Sequence, residues 1–148
     1  MFDVVIIGAG PGWLFAAYEL INKNKNLNVA LVDKGFLASK RICPMAKMGV
    51  ECQNCKPCAI LSGFGGAGTF SDGKLNFIPK LGKSDLFKYM SKTEAYDLID
   101  DTEKIFNKFK IDNEEIYMIG DGAGKAGNIV ASSATGLVAA RDIIEKIK

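Results

Sequence analysis

The feature that most constrains this chain is Gly8-Ala9-Gly10, set between the β-branched run Asp3-Val-Val-Ile-Ile-Gly8 and a helical pattern opening at Pro11. A short apolar run that ends at glycine predicts a strand buried on both faces. Pro11 to about Asn24 predicts a helix, with Leu14, Ala17, Tyr18 and Ile21 on one stripe. Pro11 sits in its first turn, where a missing N–H costs nothing. Asn28–Asp33 predicts a second buried strand. Strand, helix and strand in this order form a right-handed crossover that makes the two strands parallel neighbours.

That context gives the glycines a chemical meaning. Gly8 permits the tight turn, and Gly10 lets the backbone approach a pyrophosphate. The helix that follows offers that anion free N–H groups and the positive end of its dipole. Asp33, closing the second strand, lies where a carboxylate accepts hydrogen bonds from adenosine ribose hydroxyls, and it would repel a 2′-phosphate, which disfavours NADP. The bland alternative is an ordinary tight turn from strand to helix. Position 13 departs from the motif. Glycine is wanted there, where helix and strand pack most closely, and this chain has Trp13 preceded by Gly12. An indole at that point either pushes the helix outward or swings over the nucleotide, and either way weakens binding.

Composition narrows the partners. A chain of 148 residues suits one domain, and 48% hydrophobic with 24% charged residues suits a globular one. Lys and Arg number 19 against 17 Asp and Glu, and they are scattered, so neither a nucleic acid nor a membrane surface is expected as a partner. No apolar run approaches the roughly twenty residues of a membrane span. Val4–Ile7 is too short for a signal peptide and follows Asp3 instead of a basic segment, so a cytoplasmic protein is expected. The absence of histidine excludes an imidazole base and a His-ligated metal. Chemistry falls to carboxylates, thiols or a bound cofactor.

Residues 35–83 form a Cys- and Gly-rich loop with little periodicity, of a length that in a compact domain usually carries function. All four cysteines, Cys43, Cys52, Cys55 and Cys58, fall in it. In a cytosolic protein such a cluster suggests metal or redox work instead of structural disulfides. Two overlapping C-x-x-C spacings suit an iron–sulfur cluster or a Cys₄ zinc site, with Cys43 as fourth ligand. A redox disulfide and four plain reduced thiols remain open. Gly63 to Gly73 holds five glycines, dense enough for backbone to lie against a flat ring or phosphates, while Phe64 and Phe70 argue for packing. Helical signals cover residues 84–110, with a capping box at Ser91-Lys-Thr-Glu94. Glu115–Ile119 predicts a third strand. After Gly120-Asp-Gly-Ala-Gly124 comes a last helix with Val130, Ser133, Leu137, Ala140, Ile144 and Ile147 on one face.

The opening Asp3-Val-Val-Ile-Ile-Gly-Ala-Gly-Pro11 resembles FAD-binding domains related to glutathione reductase. Arg41-Ile-Cys-Pro44, Cys52-x-x-Cys55-x-x-Cys58, Ser62-Gly-Phe-Gly-Gly-Ala-Gly-Thr-Phe-Ser-Asp-Gly-Lys-Leu75, Ile116-Tyr-Met-Ile-Gly-Asp-Gly-Ala-Gly124 and Gly136-Leu-Val-Ala-Ala-Arg141 resemble the uncharacterised bacterial FAD-dependent dehydrogenases. Those proteins carry a substrate domain between the two blocks, where this chain has only the stretch 84–110. The resemblance implies an α/β, Rossmann-like three-layer FAD/NAD(P)-binding domain with a small parallel sheet. It would span 1–148, with a nucleotide end at 2–34 and a C-terminal strand–Gly-Asp–helix at 115–148. Strands Asn28–Asp33 and Glu115–Ile119 are expected on either side of Asp3–Ile7.

Gly8, Gly10, Pro11, Gly12, Asp33 and Lys34 would hold the adenosine and pyrophosphate. The resemblance adds Arg41, Gly65, Gly66, Ala67, Gly68 and Ser71, near the pyrophosphate and the flavin's reactive face. It adds Gly120, Asp121 and Gly122 as well, with the Asp121 carboxylate on the ribityl chain. The last helix would then direct its N-terminus at the flavin pyrimidine edge. The implied activity is that of an FAD-dependent oxidoreductase, with a small-molecule electron donor or acceptor. The alternatives are a non-enzymatic or degenerate dinucleotide-binding module and a Cys₄ metal protein on the same scaffold. An apolar face left uncovered would be a place for a second copy to pair.

Overall fold

β1 (Val4–Ile7) and β2 (Val29–Val32) pair in parallel, with Val4 opposite Val29 and Ile7 opposite Val32, and α1 (Pro11–Lys23) connects them. The computed structural model describes residues 1–70, 75–109 and 129–147. Side chains alternate across a strand, so Val4, Ile6, Val29 and Leu31 share one face of the sheet. They pack on Ala16, Ala17 and Leu20 of α1 and on Ala140, Ile143 and Ile144 of α4 (Ile129–Lys146). Among the described residues the other face is uncovered: Val5, Ile7 and Val32 are exposed, Ile7 by 79%. The expectation of strands buried on both faces therefore fails. A run of β-branched residues fixes the strand but does not say how many of its faces are covered.

Among the described residues the chain is a mixed α/β protein with a two-stranded parallel sheet and four helices. No described helix covers the open face, so the third layer is not seen. The expected third strand, Glu115–Ile119, lies outside the described residues. No described helix is long and apolar enough to cross a membrane.

α1 and α4 cross at glycine. A Cβ on Gly136 would fall on the carbonyl oxygen of Gly12, and one on Gly12 would lie 2.7 Å from the Ser132 carbonyl oxygen. Backbone touches backbone there, an approach open only to residues without a side chain. On its other side α4 meets α3 (Lys92–Lys108), where Leu98 and Ile99 pack on Val130, Ala134 and Leu137. The Phe106 ring lies 5.0 Å from that of Phe15 and 5.9 Å from that of Phe77. Arg141 joins all three long helices, donating from Nε to Glu19 Oε1 at 3.0 Å and from Nη2 to Asp101 Oδ2 at 2.8 Å.

The capping box opens α3 as expected: Ser91 Oγ accepts from the Glu94 N–H, and the Glu94 carboxylate accepts from the Ser91 N–H at 2.9 Å. The helical stretch does not reach back to Ser84. β3 (Lys80–Leu81) and β4 (Ser84–Asp85) form a small antiparallel hairpin instead, followed by a 3₁₀ turn at Leu86–Lys88. Asp85 ends the hairpin by accepting from the Phe87 N–H and pairing with Lys80 at 3.0 Å. An aspartate able to cap the turn after it competes with helix at that point. The short helix α2 (Pro44–Met48) lies in the cysteine-rich loop.

Candidate functional site

The site grows from the end of β1. Gly8 continues the ladder by donating to the Val32 carbonyl at 2.7 Å, then turns at φ +115°, a conformation that favours glycine. The chain enters α1 with Gly10 as N-cap and Pro11 as first residue. Gly10 brings no side chain to the cap, so the first N–H groups of α1 are left open at its positive end. A Cβ on Gly10 would meet nothing within 4 Å, so the space beside the turn is free.

Asp33 braces this turn. Its Oδ2 accepts from the Ala9 N–H at 2.9 Å and its Oδ1 from the Gly35 N–H at 2.8 Å. One carboxylate thus ties the β1–α1 turn to the chain leaving β2. Both oxygens keep lone pairs, but their first partners are backbone, so the residue shapes the turn before it meets any ligand. The Gly63–Gly66 segment closes the other side. Gly65 donates to the Ala9 carbonyl at 2.9 Å, and a Cβ on Gly66 would lie 3.2 Å from both Gly10 Cα and Pro11 Cδ. Gly35 in turn has backbone of Ser62 and Gly63 where a side chain would be.

Arg41 holds the glycine loop in shape and is only 2% exposed. Nε donates to the Ala59 carbonyl at 3.0 Å. Nη1 donates to the Phe64 carbonyl at 2.7 Å and Thr69 Oγ1 at 2.8 Å, and Nη2 to the carbonyls of Gly66, at 2.8 Å, and Ile60. The Phe70 ring lies 5.0 Å from the guanidinium carbon. All five N–H donors are spent on this one loop. Burial pulls the Arg41 pKa below its ordinary value, while Asp33 and Cys58 oppose that shift. Arg41, expected near the pyrophosphate, instead has every donor engaged by the loop. Its donors face the chain, and what it organises is the loop beside the cleft.

These elements enclose a cleft of about 1030 Å³, lined by Gly8, Ala9, Gly10, Trp13, Asp33, Lys34, Gly63 and Gly66, and by Cys52, Asn54 and the run Cys55–Cys58. That is the size range of small-molecule and cofactor sites. Of the residues expected there, Gly8, Gly10, Asp33, Lys34 and Gly66 line it together. Pro11 begins α1 at its edge. Gly65 docks on Ala9, while Ala67 and Gly68 sit in the 3₁₀ turn Ala67–Phe70 and are not part of its lining. Gly12 faces α4, so it serves the helix crossing. Ser71, Gly120, Asp121 and Gly122 lie outside the described residues.

The four thiols are not gathered. Cys43 Sγ accepts from the Ala46 N–H at 3.5 Å and caps α2, whereas Cys52, Cys55 and Cys58 stand along the cleft wall. All four are free, and among the described residues no group of three or more His, Cys, Asp or Glu could hold a metal ion. The described residues thus do not bring the four thiols of the expected Cys₄ site together. Cys43 is engaged as a helix cap, a use that its place before Pro44 could have signalled. The spacing also gave no sign of Gly35 and Gly136, whose partners are distant in sequence. Comparison with protein-family models, with curated proteins and with solved structures yields no match. The fit of a ligand therefore rests on geometry: an open glycine turn, an uncapped helix start, Lys34 and Lys56 on the walls and room for an extended anionic molecule.

Proposed function

We propose that the cleft binds an adenine dinucleotide, FAD, and that the chain is the cofactor-binding part of a flavin-dependent oxidoreductase. The observation that carries this reading is the uncapped start of α1 beside Gly8 and Gly10, closed on its far side by Gly66. A pyrophosphate suits that place because the open N–H groups and the helix dipole both favour negative charge. Asp33 holds the turn for it, and Lys34 and Lys56 add positive charge along the wall. Bound FAD would supply the hydride or electron transfer, with the protein supplying position and electrostatics. Asp121 on the ribityl chain belongs to the same proposal and rests on the sequence resemblance alone.

A second reading, a dinucleotide-binding module without turnover, draws support from Trp13, whose indole stands over Gly8. Absorbance of the purified protein, with flavin and metal analysis after denaturation, tests the proposal. Released FAD supports it. Iron or zinc without flavin contradicts it, as does a colourless protein that added FAD fails to stabilise. Bound flavin that no reductant or oxidant turns over would favour the module.

A further inference from the structure

The residue that breaks the glycine motif stands in the place the motif keeps clear. A Cβ on Gly8 would lie 2.8 Å from Trp13 Cδ1 and 2.9 Å from Nε1, so the five-membered edge of the indole rests against the Gly8 Cα. The turn needs no side chain at Gly8, and the space this leaves is taken up by Trp13. Trp13 is still 51% exposed and lines the cleft with Gly10 and Asp33, so it is not a core side chain.

The position of Trp13 leaves a second rotamer open to it. It is the third residue of α1, after Pro11 and Gly12. The usual helical ban on one χ1 rotamer comes from the preceding turn, which a first-turn residue lacks. Gly10 beside it leaves open space.

We infer that Trp13 is a gate on the dinucleotide cleft: its indole occupies the Gly8 side of the turn and must swing out before a pyrophosphate can settle there. The inference rests on the dinucleotide reading and adds a competition to it. A ligand that binds only the open rotamer has its apparent affinity reduced by the fraction of molecules that are open. Removing the indole should therefore tighten binding. The same geometry makes Trp13 a selectivity element, since a ligand without a phosphate at the turn has no reason to displace it.

Trp13 is the chain's one tryptophan, so its emission reports the ring directly. The probe is ADP-ribose, which carries the pyrophosphate without a flavin that would quench emission at a distance. Binding should shift the Trp13 emission as the ring leaves Gly8. In calorimetry, Trp13→Ala should bind both ADP-ribose and FAD roughly three- to tenfold more tightly, the size expected when the closed rotamer predominates. Its melting temperature should stay near that of the wild type, and Trp13→Phe should fall between the two in affinity. Weaker binding by Trp13→Ala at unchanged melting temperature would make the indole a ligand contact and overturn the gate. Equal affinities with unmoved emission would also overturn it, leaving the dinucleotide reading intact. If neither protein binds either probe, the dinucleotide reading fails and the gate falls with it.

Discussion

Two glycine regions at the start of α1 face opposite ways. Gly12 and Gly136 are filled by backbone, each lying against the other helix where a side chain would be. Gly10, two residues earlier, borders open space, while the place of a side chain on Gly8 is taken by the edge of the half-exposed Trp13 ring. A glycine whose missing side chain is replaced by the protein itself is a packing residue. One whose missing side chain leaves a void beside an uncapped helix end is a place for something else. The motif at the β1–α1 junction thus divides into a structural half and a half available to a ligand.

The largest expected effect lies in the structural half. Gly136→Ala drives a methyl into the Gly12 carbonyl, and α1 and α4 must separate. Overpacking of a close backbone contact should cost about 3 kcal/mol, read by urea unfolding. Gly12→Ala meets the Ser132 carbonyl at 2.7 Å, a milder clash partly offset by the better helix propensity of alanine. About 1–2 kcal/mol is expected. If either variant melts like the wild type, the helices do not meet at glycine and the contrast collapses.

Gly10→Ala sharpens the other half. Its Cβ meets nothing within 4 Å and its φ of −74° suits any residue, so stability should fall by less than about 1 kcal/mol. FAD affinity should fall about tenfold, equivalent to about 1.4 kcal/mol, because the methyl enters the space proposed for the pyrophosphate. Unchanged affinity at unchanged stability would place the ligand elsewhere.

The smallest effect lies where α3 and α4 are clamped away from the cleft. The hydrogen bond from Arg141 is the main cause holding the Asp101 carboxyl below its ordinary value of 3.8. A carboxylate with a lowered folded pKa contributes stability that is complete above the unfolded pKa and is lost as pH falls through the folded one. Asp101 is about a third exposed, so solvent screening limits the pair to about 0.5–1 kcal/mol. Asp101→Asn should cost that much near neutral pH and nothing in acid below the folded pKa, as followed by melting against pH.

Much of the nucleotide end is legible in the sequence because it is local. Apolar runs, a proline and paired glycines within thirty-three residues specify β1, α1 and β2, and the ends of α1 fall within a residue of the predicted ones. Gly12 has a second role that the sequence does not show, packing against α4. Its partner is Ser132, far along the chain, and no local pattern reveals that a glycine of the turn motif also admits a distant helix. Arg41 likewise looks like a phosphate ligand until its five donors are traced to the loop of residues 59–69. The cysteines are the least legible residues, since C-x-x-C fixes which thiols are near in sequence but not which way they turn. Trp13 is the reverse case, visible from the start as the residue that does not fit.

The central claim is that the cleft beside Gly8 and Gly10 takes an adenine dinucleotide. Isothermal titration of FAD into the wild-type chain, with AMP and riboflavin as halves of the ligand, tests it most directly. The account predicts saturable binding of one FAD per chain, with each half far weaker because neither brings the pyrophosphate to the start of α1. Riboflavin binding as tightly as FAD, or no uptake of FAD by the wild type and by Trp13→Ala alike, would contradict it.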